Sequence, residues 1–311
     1  MISGNLAAID LGTNSCRLKI TNAEGELLYR DSVATKLGEG LHGSGKFSVA
    51  AIERGLNCLS QYAAELKKFE VTRYRAVATA SCRMAANGAD FVKEVENKTG
   101  IKLEIISPRE EAELNVKGAA LNASPEAEYI VVYDLGGGST EISLAENNAE
   151  KNILYSISMP WGARNAAEAF DLAVYNEEKA ARLRSTATEY ARKFVNEAGF
   201  NKYKLQCECI ATSSTALRLA NMVCATGCYN RDYADGLTIN IAQTDEQIGK
   251  VYSMSFAEMA ESAYIGKNRA EVFVAACIIF KSVYDALGID VLTTSLKGAL
   301  EAILIGLREH G

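Results

Sequence analysis

Strand-like runs recur along the first half of the chain, and one of them alternates apolar and polar positions with a period of two. Cys16, Leu18 and Ile20 alternate with Arg17 and Lys19, the pattern of a strand covered on one face. Comparable runs predict strands over 6–10, 26–33, 73–79 and 102–107. The period changes after Ser48. There Ile52, Leu56, Leu59, Ala63 and Leu66 step by four and three, which predicts an amphipathic helix. The second half repeats the theme with strands over 129–135, 140–144, 153–159 and 205–211, and then turns mostly helical. Strands interleaved with helices throughout place the chain in the α/β class.

The pattern also contains a long-period repeat. Ile9-Asp10-Leu11-Gly12-Thr13-Asn14-Ser15 recurs, 124 positions later, as Tyr133-Asp134-Leu135-Gly136-Gly137-Gly138-Ser139-Thr140. Each copy runs from a glycine turn into a short strand, a polar turn and another strand. A repeat of this length implies duplicated architecture. Two related lobes are expected, 1–125 and 126–311, facing each other across a shared cleft. The boundary is set near Pro125, and the last helix, about 297–311, is expected to pack back on the first lobe.

Composition narrows the chemistry. The 311 residues are 48% hydrophobic and carry a net charge of −6, which excludes a basic nucleic-acid-binding protein. The charge is split, +1 over 1–125 and −7 over 126–311. The two histidines, His42 and His310, exclude a multi-histidine metal site and leave His42 alone for any histidine-based nucleophilic centre. No basic leader and no apolar run of about 18 residues is present, so a cytoplasmic protein with no membrane partner is expected. The eight cysteines read as buried thiols; Cys207, Cys209, Cys224 and Cys228 match no familiar zinc spacing.

A turn of Gly, Thr, Asn and Ser exposes successive N–H groups and hydroxyls that suit phosphate oxygens. Gly12, Thr13, Asn14 and Ser15 in one lobe, with Gly136, Gly137, Gly138, Ser139 and Thr140 in the other, are the candidate phosphate ligands. Asp10 and Asp134 precede the turns and would repel an anion. They make sense as holders of Mg²⁺, with Mn²⁺ as a substitute. Ser107-Pro108-Arg109-Glu110 has the form of a helix start, with Glu110 folding back as a capping box. Glu111 is then left free on the first turn to activate a water. Arg83, at a strand-to-helix junction, offers a bidentate fork to a phosphate.

These blocks resemble the exopolyphosphatase / guanosine pentaphosphate phosphatase family of the actin-like ATPase, sugar kinase and heat-shock ATPase superfamily. The resemblance rests on residues 8–15, 77–87, 105–112, 132–141 and 159–164. It implies two actin-like (ribonuclease H-like) lobes with mixed sheets and an active site in the cleft between them. It implies Glu111 as the catalytic carboxylate, Arg83 as a phosphate ligand and Glu141 as a ligand of metal or water. The implied reaction is hydrolysis of the terminal phosphoanhydride of inorganic polyphosphate, with guanosine pentaphosphate as the alternative substrate. A kinase of the same superfamily and a non-catalytic polyphosphate-binding protein rank below both, and a homodimer is left open as the assembly.

The chain departs from the family in several places. Pro108 and Glu113 stand where Gly and Arg are usual, and Leu300 stands where Arg is expected. The 211–215 turn is serine-rich where the family carries Gly, which weakens a nucleotide reading. Arg17, Lys19, Arg73, Arg75 and Arg109 are expected to give the first lobe local positive potential.

Overall fold

The computed structural model describes residues 4–309; His310 and the end of the expected 297–311 helix lie outside the described residues. The chain divides into two compact units, Met1–Leu114 with Ala299–Gly311, and Asn115–Gly298. The division falls inside the Pro108–Ala119 helix, whose backbone continues unbroken past Leu114, whereas the sequence reading placed it near Pro125.

The first unit holds a five-stranded sheet of β1 (Asn5–Leu11), β2 (Cys16–Thr21), β3 (Leu27–Val33), β4 (Val71–Ala78) and β5 (Leu103–Ile105), in the order β3-β2-β1-β4-β5. The first three strands form an antiparallel meander, and β4 and β5 continue parallel to β1. The Val49–Lys68 helix begins at Ser48, whose side chain accepts from Ala51 N. Its buried Leu56, Leu59 and Tyr62 share a cluster with Ile9, Leu18 and Ile20 on one sheet face. The alternate residues Leu6, Ala8 and Val77 pack with Ala302, Ile303 and Leu304 of the Ala299–Glu309 helix.

The second unit repeats the plan with β6 (Tyr129–Leu135), β7 (Thr140–Glu146), β8 (Ile153–Met159), β9 (Cys207–Thr212), β10 (Thr238–Asn240) and β11 (Val291–Ser295). Its order is β10-β11-β9-β6-β7-β8. Again a meander of three strands is followed by parallel strands, here β9 and β11, with β10 added antiparallel at the edge. The doubled α/β design is therefore present. The Lys267–Leu287 helix is buried nearly all round, with Phe273, Ile279 and Phe280 in the core alongside Val131 and Tyr133. Burial on every side removes periodicity from the sequence, so this segment reads only as apolar.

Among the described residues no helix is long and apolar enough to cross a membrane. All eight cysteines are free thiols, but Cys224 and Cys228 are exposed and Cys207 only half-buried, so the buried-thiol reading holds for the other five.

Candidate functional site

Each unit opens with a hairpin whose turn is closed in the same way. Gly12 N donates to Ser15 O, and Gly136 N to Ser139 O, both at 3.0 Å. What distinguishes these turns is the fate of their carbonyl groups. In the second turn, Gly136 O accepts from Ala163 N at 2.9 Å, and Gly137 O from Arg164 N at 2.8 Å and Asn165 N at 3.2 Å. Gly138 O accepts from Asn165 Nδ2 at 2.9 Å. A trans peptide points its C=O and the following N–H in opposite directions, and the described residues contain no cis bond. The N–H groups of Gly137, Gly138 and Ser139 are therefore all turned away from the Ala163–Ala169 helix. Three successive donors on one side form an anion nest.

Asn165 holds this arrangement in place. It is buried, accepts from Gly162 N at 2.8 Å and also donates to Pro160 O at 3.0 Å. Gly162 leaves no room for a side chain, since a Cβ there would lie 2.6 Å from Gly137 C and Gly138 N. The Thr140 hydroxyl donates to Trp161 O at 2.8 Å, so it ties the turn to the same segment. The first turn is backed by residues 36–38. Lys36 N donates to Asn14 O at 3.0 Å and Gly38 N to Thr13 O at 2.8 Å. By the same peptide geometry the N–H groups of Asn14 and Ser15 face away from that segment.

The carboxylates differ between the units. Asp10 is in register with Arg17 across β1 and β2, and Arg17 Nη1 lies 3.8 Å from Asp10 Oδ2. Burial raises the Asp10 pKa above the ordinary carboxylate value, while Arg17 acts to lower it and Glu301 to raise it. At the equivalent place in β6 and β7, Asp134 is in register with Glu141. Asp134 accepts from Asn115 Nδ2 at 2.8 Å and Thr212 Oγ1 at 3.2 Å. Glu141 is 3% exposed and accepts from Ser158 Oγ at 2.8 Å. Like charges opposed across a strand pair repel. A hard divalent cation offsets that repulsion, and Mg²⁺ is commonly held by one or two carboxylates together with water and substrate phosphates. The pair Asp134 and Glu141 fits such an ion. No group of three or more His, Cys, Asp or Glu that could hold a metal occurs among the described residues.

Glu111 sits on the first turn of the Pro108–Ala119 helix and is 7% exposed. Arg83 Nη1 lies 2.8 Å from Glu111 Oε2 and also donates to Ile106 O at 2.8 Å. The structure thus brings these two candidates of the first unit together as an ion pair. The helix start is as expected in one half only. Ser107 Oγ accepts from Glu110 N at 3.2 Å, but the Glu110 carboxylate pairs with Arg75 instead of the Ser107 amide. Arg75 also pairs with Glu104 at 2.8 Å. Lys19 pairs with Glu301 at 3.0 Å and Arg109 with Glu113 at 3.0 Å. Most of the cations expected to give this unit positive potential are therefore compensated by carboxylates, which corrects that expectation.

Sequence reasoning missed Asn115, Asn165 and the role of Thr212. Asn165 alone left a signal, its place three residues after Gly162, the spacing of a reciprocal helix cap. Asn115 and Thr212 act through contacts between distant segments, which no local pattern carries.

Comparison with known proteins bears on the family and the fold. The model of the Ppx/GppA phosphatase family matches residues 19–310. Among solved structures, an exopolyphosphatase from Cytophaga hutchinsonii superposes with a TM-score of 0.88 at 21% identity, over 98% of each chain. The Aquifex aeolicus member of the Ppx/GppA family gives 0.79 at 24% identity, over 99% of each chain. An exopolyphosphatase-like protein gives 0.88 at 24% identity, over 98% of this chain and 99% of that one. At these identities the structural likeness establishes a common fold.

Proposed function

We propose, from the premise that the chain belongs to the Ppx/GppA phosphatase family, that it is an exopolyphosphatase releasing orthophosphate from the end of inorganic polyphosphate. Membership makes it a phosphoanhydride hydrolase; the substrate is our reading. The observation that carries it is the pair of turns whose N–H groups are turned outward by hydrogen bonds to the carbonyls behind them. Such turns bind phosphoryl oxygens through the backbone and ask nothing of a base or a sugar.

In this reading Glu111, oriented by Arg83 through Oε2, takes a proton from the attacking water at Oε1. The water oxygen bonds to the terminal phosphorus while the bridging oxygen leaves with its electron pair. Arg83 and the outward N–H groups of residues 14 and 15 offset the charge that develops on the transferred group, and the N–H groups of residues 137–139 offer the same kind of donor to phosphoryl oxygens in the second unit. Asp134 and Glu141 would hold Mg²⁺ or Mn²⁺, which supplies further neutralisation of phosphate charge when bound. Asp10, with Arg17 opposite, would orient water near the first turn.

The test is phosphate release, with and without Mg²⁺, from tripolyphosphate, long-chain polyphosphate and guanosine pentaphosphate at equal concentration. Faster release from the inorganic chains supports the reading. Preference for guanosine pentaphosphate would move the chain to the alternative substrate, and no release from any of the three would refute hydrolysis by this site.

A further inference from the structure

Asp134 and Glu141 are the two middle members of a row that crosses four strands of the second unit. Thr212 on β9 is in register with Asp134 on β6, Asp134 with Glu141 on β7, and Glu141 with Ser158 on β8. Residues in register on neighbouring strands project from the same face of a sheet. The row therefore reads hydroxyl, carboxylate, carboxylate, hydroxyl. Each outer hydroxyl donates to the carboxylate beside it, Thr212 Oγ1 to Asp134 Oδ1 at 3.2 Å and Ser158 Oγ to Glu141 at 2.8 Å.

Asp134 has a second donor that comes from outside the sheet. Asn115 Nδ2, on the Pro108–Ala119 helix, donates to Asp134 Oδ2 at 2.8 Å. A close backbone approach brings this side chain within reach. Gly118, three residues on and so on the same face of the helix, meets the backbone of Gly298, where a Cβ at position 118 would run into the Gly298 carbonyl. Gly298 in turn borders both donors, its own Cβ position lying 3.3 Å from Asn115 Oδ1 and 3.8 Å from Thr212 Oγ1. All of these residues belong to the second unit. Asn115 and Thr212 are buried, so packing holds both donors in place, whereas Asp134 is only half-buried.

Each oxygen of Asp134 thus takes one donor, which fixes the torsion of the carboxylate. A carboxylate oxygen has two acceptor positions, so each keeps one for a cation or its water. Taking Asp134 and Glu141 as a metal site, as proposed above, we infer that Asn115 and Thr212 are its positioning residues, holding the Asp134 carboxylate in the one orientation in which it meets the ion. Both act through the carboxylate. Removing a hydrogen-bond partner behind a metal ligand weakens metal binding about 10–100-fold.

The test is titration of the whole chain with Mn²⁺, followed by the electron paramagnetic resonance signal of the free ion, with no turnover measured. Asn115→Leu and Thr212→Val, each close in shape but without the donor, should bind Mn²⁺ about 10–100-fold more weakly than wild type. Thr212→Ser, which keeps the hydroxyl, should bind as wild type does. Asp134→Asn shows whether the ion being read is the one at this pair. If it binds Mn²⁺ like wild type, or wild type binds none, the metal reading itself fails and the positioning role with it. If Asp134→Asn loses the ion while Asn115→Leu and Thr212→Val keep wild-type affinity, the metal site stands and the positioning role is overturned. Equal weakening in Thr212→Val and Thr212→Ser would overturn it too, because the hydroxyl would then not matter. Should Asn115→Leu fail to fold, as judged by its melting curve in chelator, the contrast between the two Thr212 variants decides.

Discussion

Asp134 and Glu141 stand directly opposite each other across β6 and β7, two carboxylates in register at the end of a hairpin. The matching place in the first unit holds Asp10 and Arg17, an opposite-charge pair. The duplicated framework has thus been given unlike chemistry at one cross-strand position. In the ion-free protein the Asp134–Glu141 pair is repulsive, by roughly 0.2–1 kcal/mol. Glu141→Gln should therefore raise the ion-free melting temperature by about 1–3 °C, on the usual scale for domains of this size. The same variant should lose the stabilisation that Mg²⁺ gives wild type. Calorimetric scans in chelator and in excess Mg²⁺ check both; an unchanged response to Mg²⁺ would remove this pair as the metal site.

Glu111→Gln keeps the shape of the side chain and its contact with Arg83 but cannot accept a proton. Phosphate release should fall by about 10²–10⁴, the range attributed to a general base, while polyphosphate binding survives. Steady-state turnover beside equilibrium binding separates the two, and near-wild-type turnover would take the role of base away from Glu111.

Asn165→Ala removes the donor to Gly138 O and the acceptor of Gly162 N in one step. Each buried group left without a partner costs about 1–3 kcal/mol. The expected result is a lower melting temperature together with a higher KM for polyphosphate, because the N–H groups of the turn lose their fixed direction. Loss of stability with an unchanged KM would confine Asn165 to packing.

Ser213 adopts φ 134°, a region that favours glycine, and its buried hydroxyl has no hydrogen-bond partner. Strain of this kind costs roughly 1–3 kcal/mol. Ser213→Gly should raise the melting temperature by about 2–4 °C, whereas Ser213→Ala, which keeps the Cβ, should gain less. Reversing that order would show that the hydroxyl, and not the backbone, is the costly feature.

Thiol reactivity separates the cysteines. Burial pushes the pKa of Cys82 up to about 12 and that of Cys207 up to about 12. The reactive thiolate appears only as pH rises through the pKa, so both remain protonated at pH 8. Alkylation of the folded protein at pH 8 should label exposed Cys224 and Cys228 first, and label Cys82 and Cys207 only after unfolding. Peptide mapping by mass spectrometry checks this order.

The framework was legible where a residue's neighbours in sequence are its neighbours in space. The Cys16–Thr21, Tyr129–Leu135 and Ile153–Met159 strands coincide with their predicted spans because alternation and short apolar runs are local signals. The three-residue Thr238–Asn240 strand and the Val291–Ser295 strand were not anticipated, since each lies among helices and is defined by its partners. The site was legible to the same degree. Asp10, Asp134 and the glycine turns announce themselves by repetition. Asn115 and Thr212 acquire meaning only when the fold sets both against Asp134, and Glu110 finds Arg75 on a neighbouring strand in place of its own helix start.

The backing of the two turns has a consequence for how such a protein tolerates change. Each peptide plane works as a rigid lever, with a carbonyl anchored on one side and an amide presented on the other. Lys36, Gly38, Ala163, Arg164 and Asn165 aim the amides without lying on the anion's side of the plane. Replacing Asn165, whose side chain holds Gly138 O, or replacing one of the other anchors by proline, which removes the donating N–H, should shift phosphate affinity as surely as substitutions in the turns themselves, because releasing the anchored end lets the presented end swing.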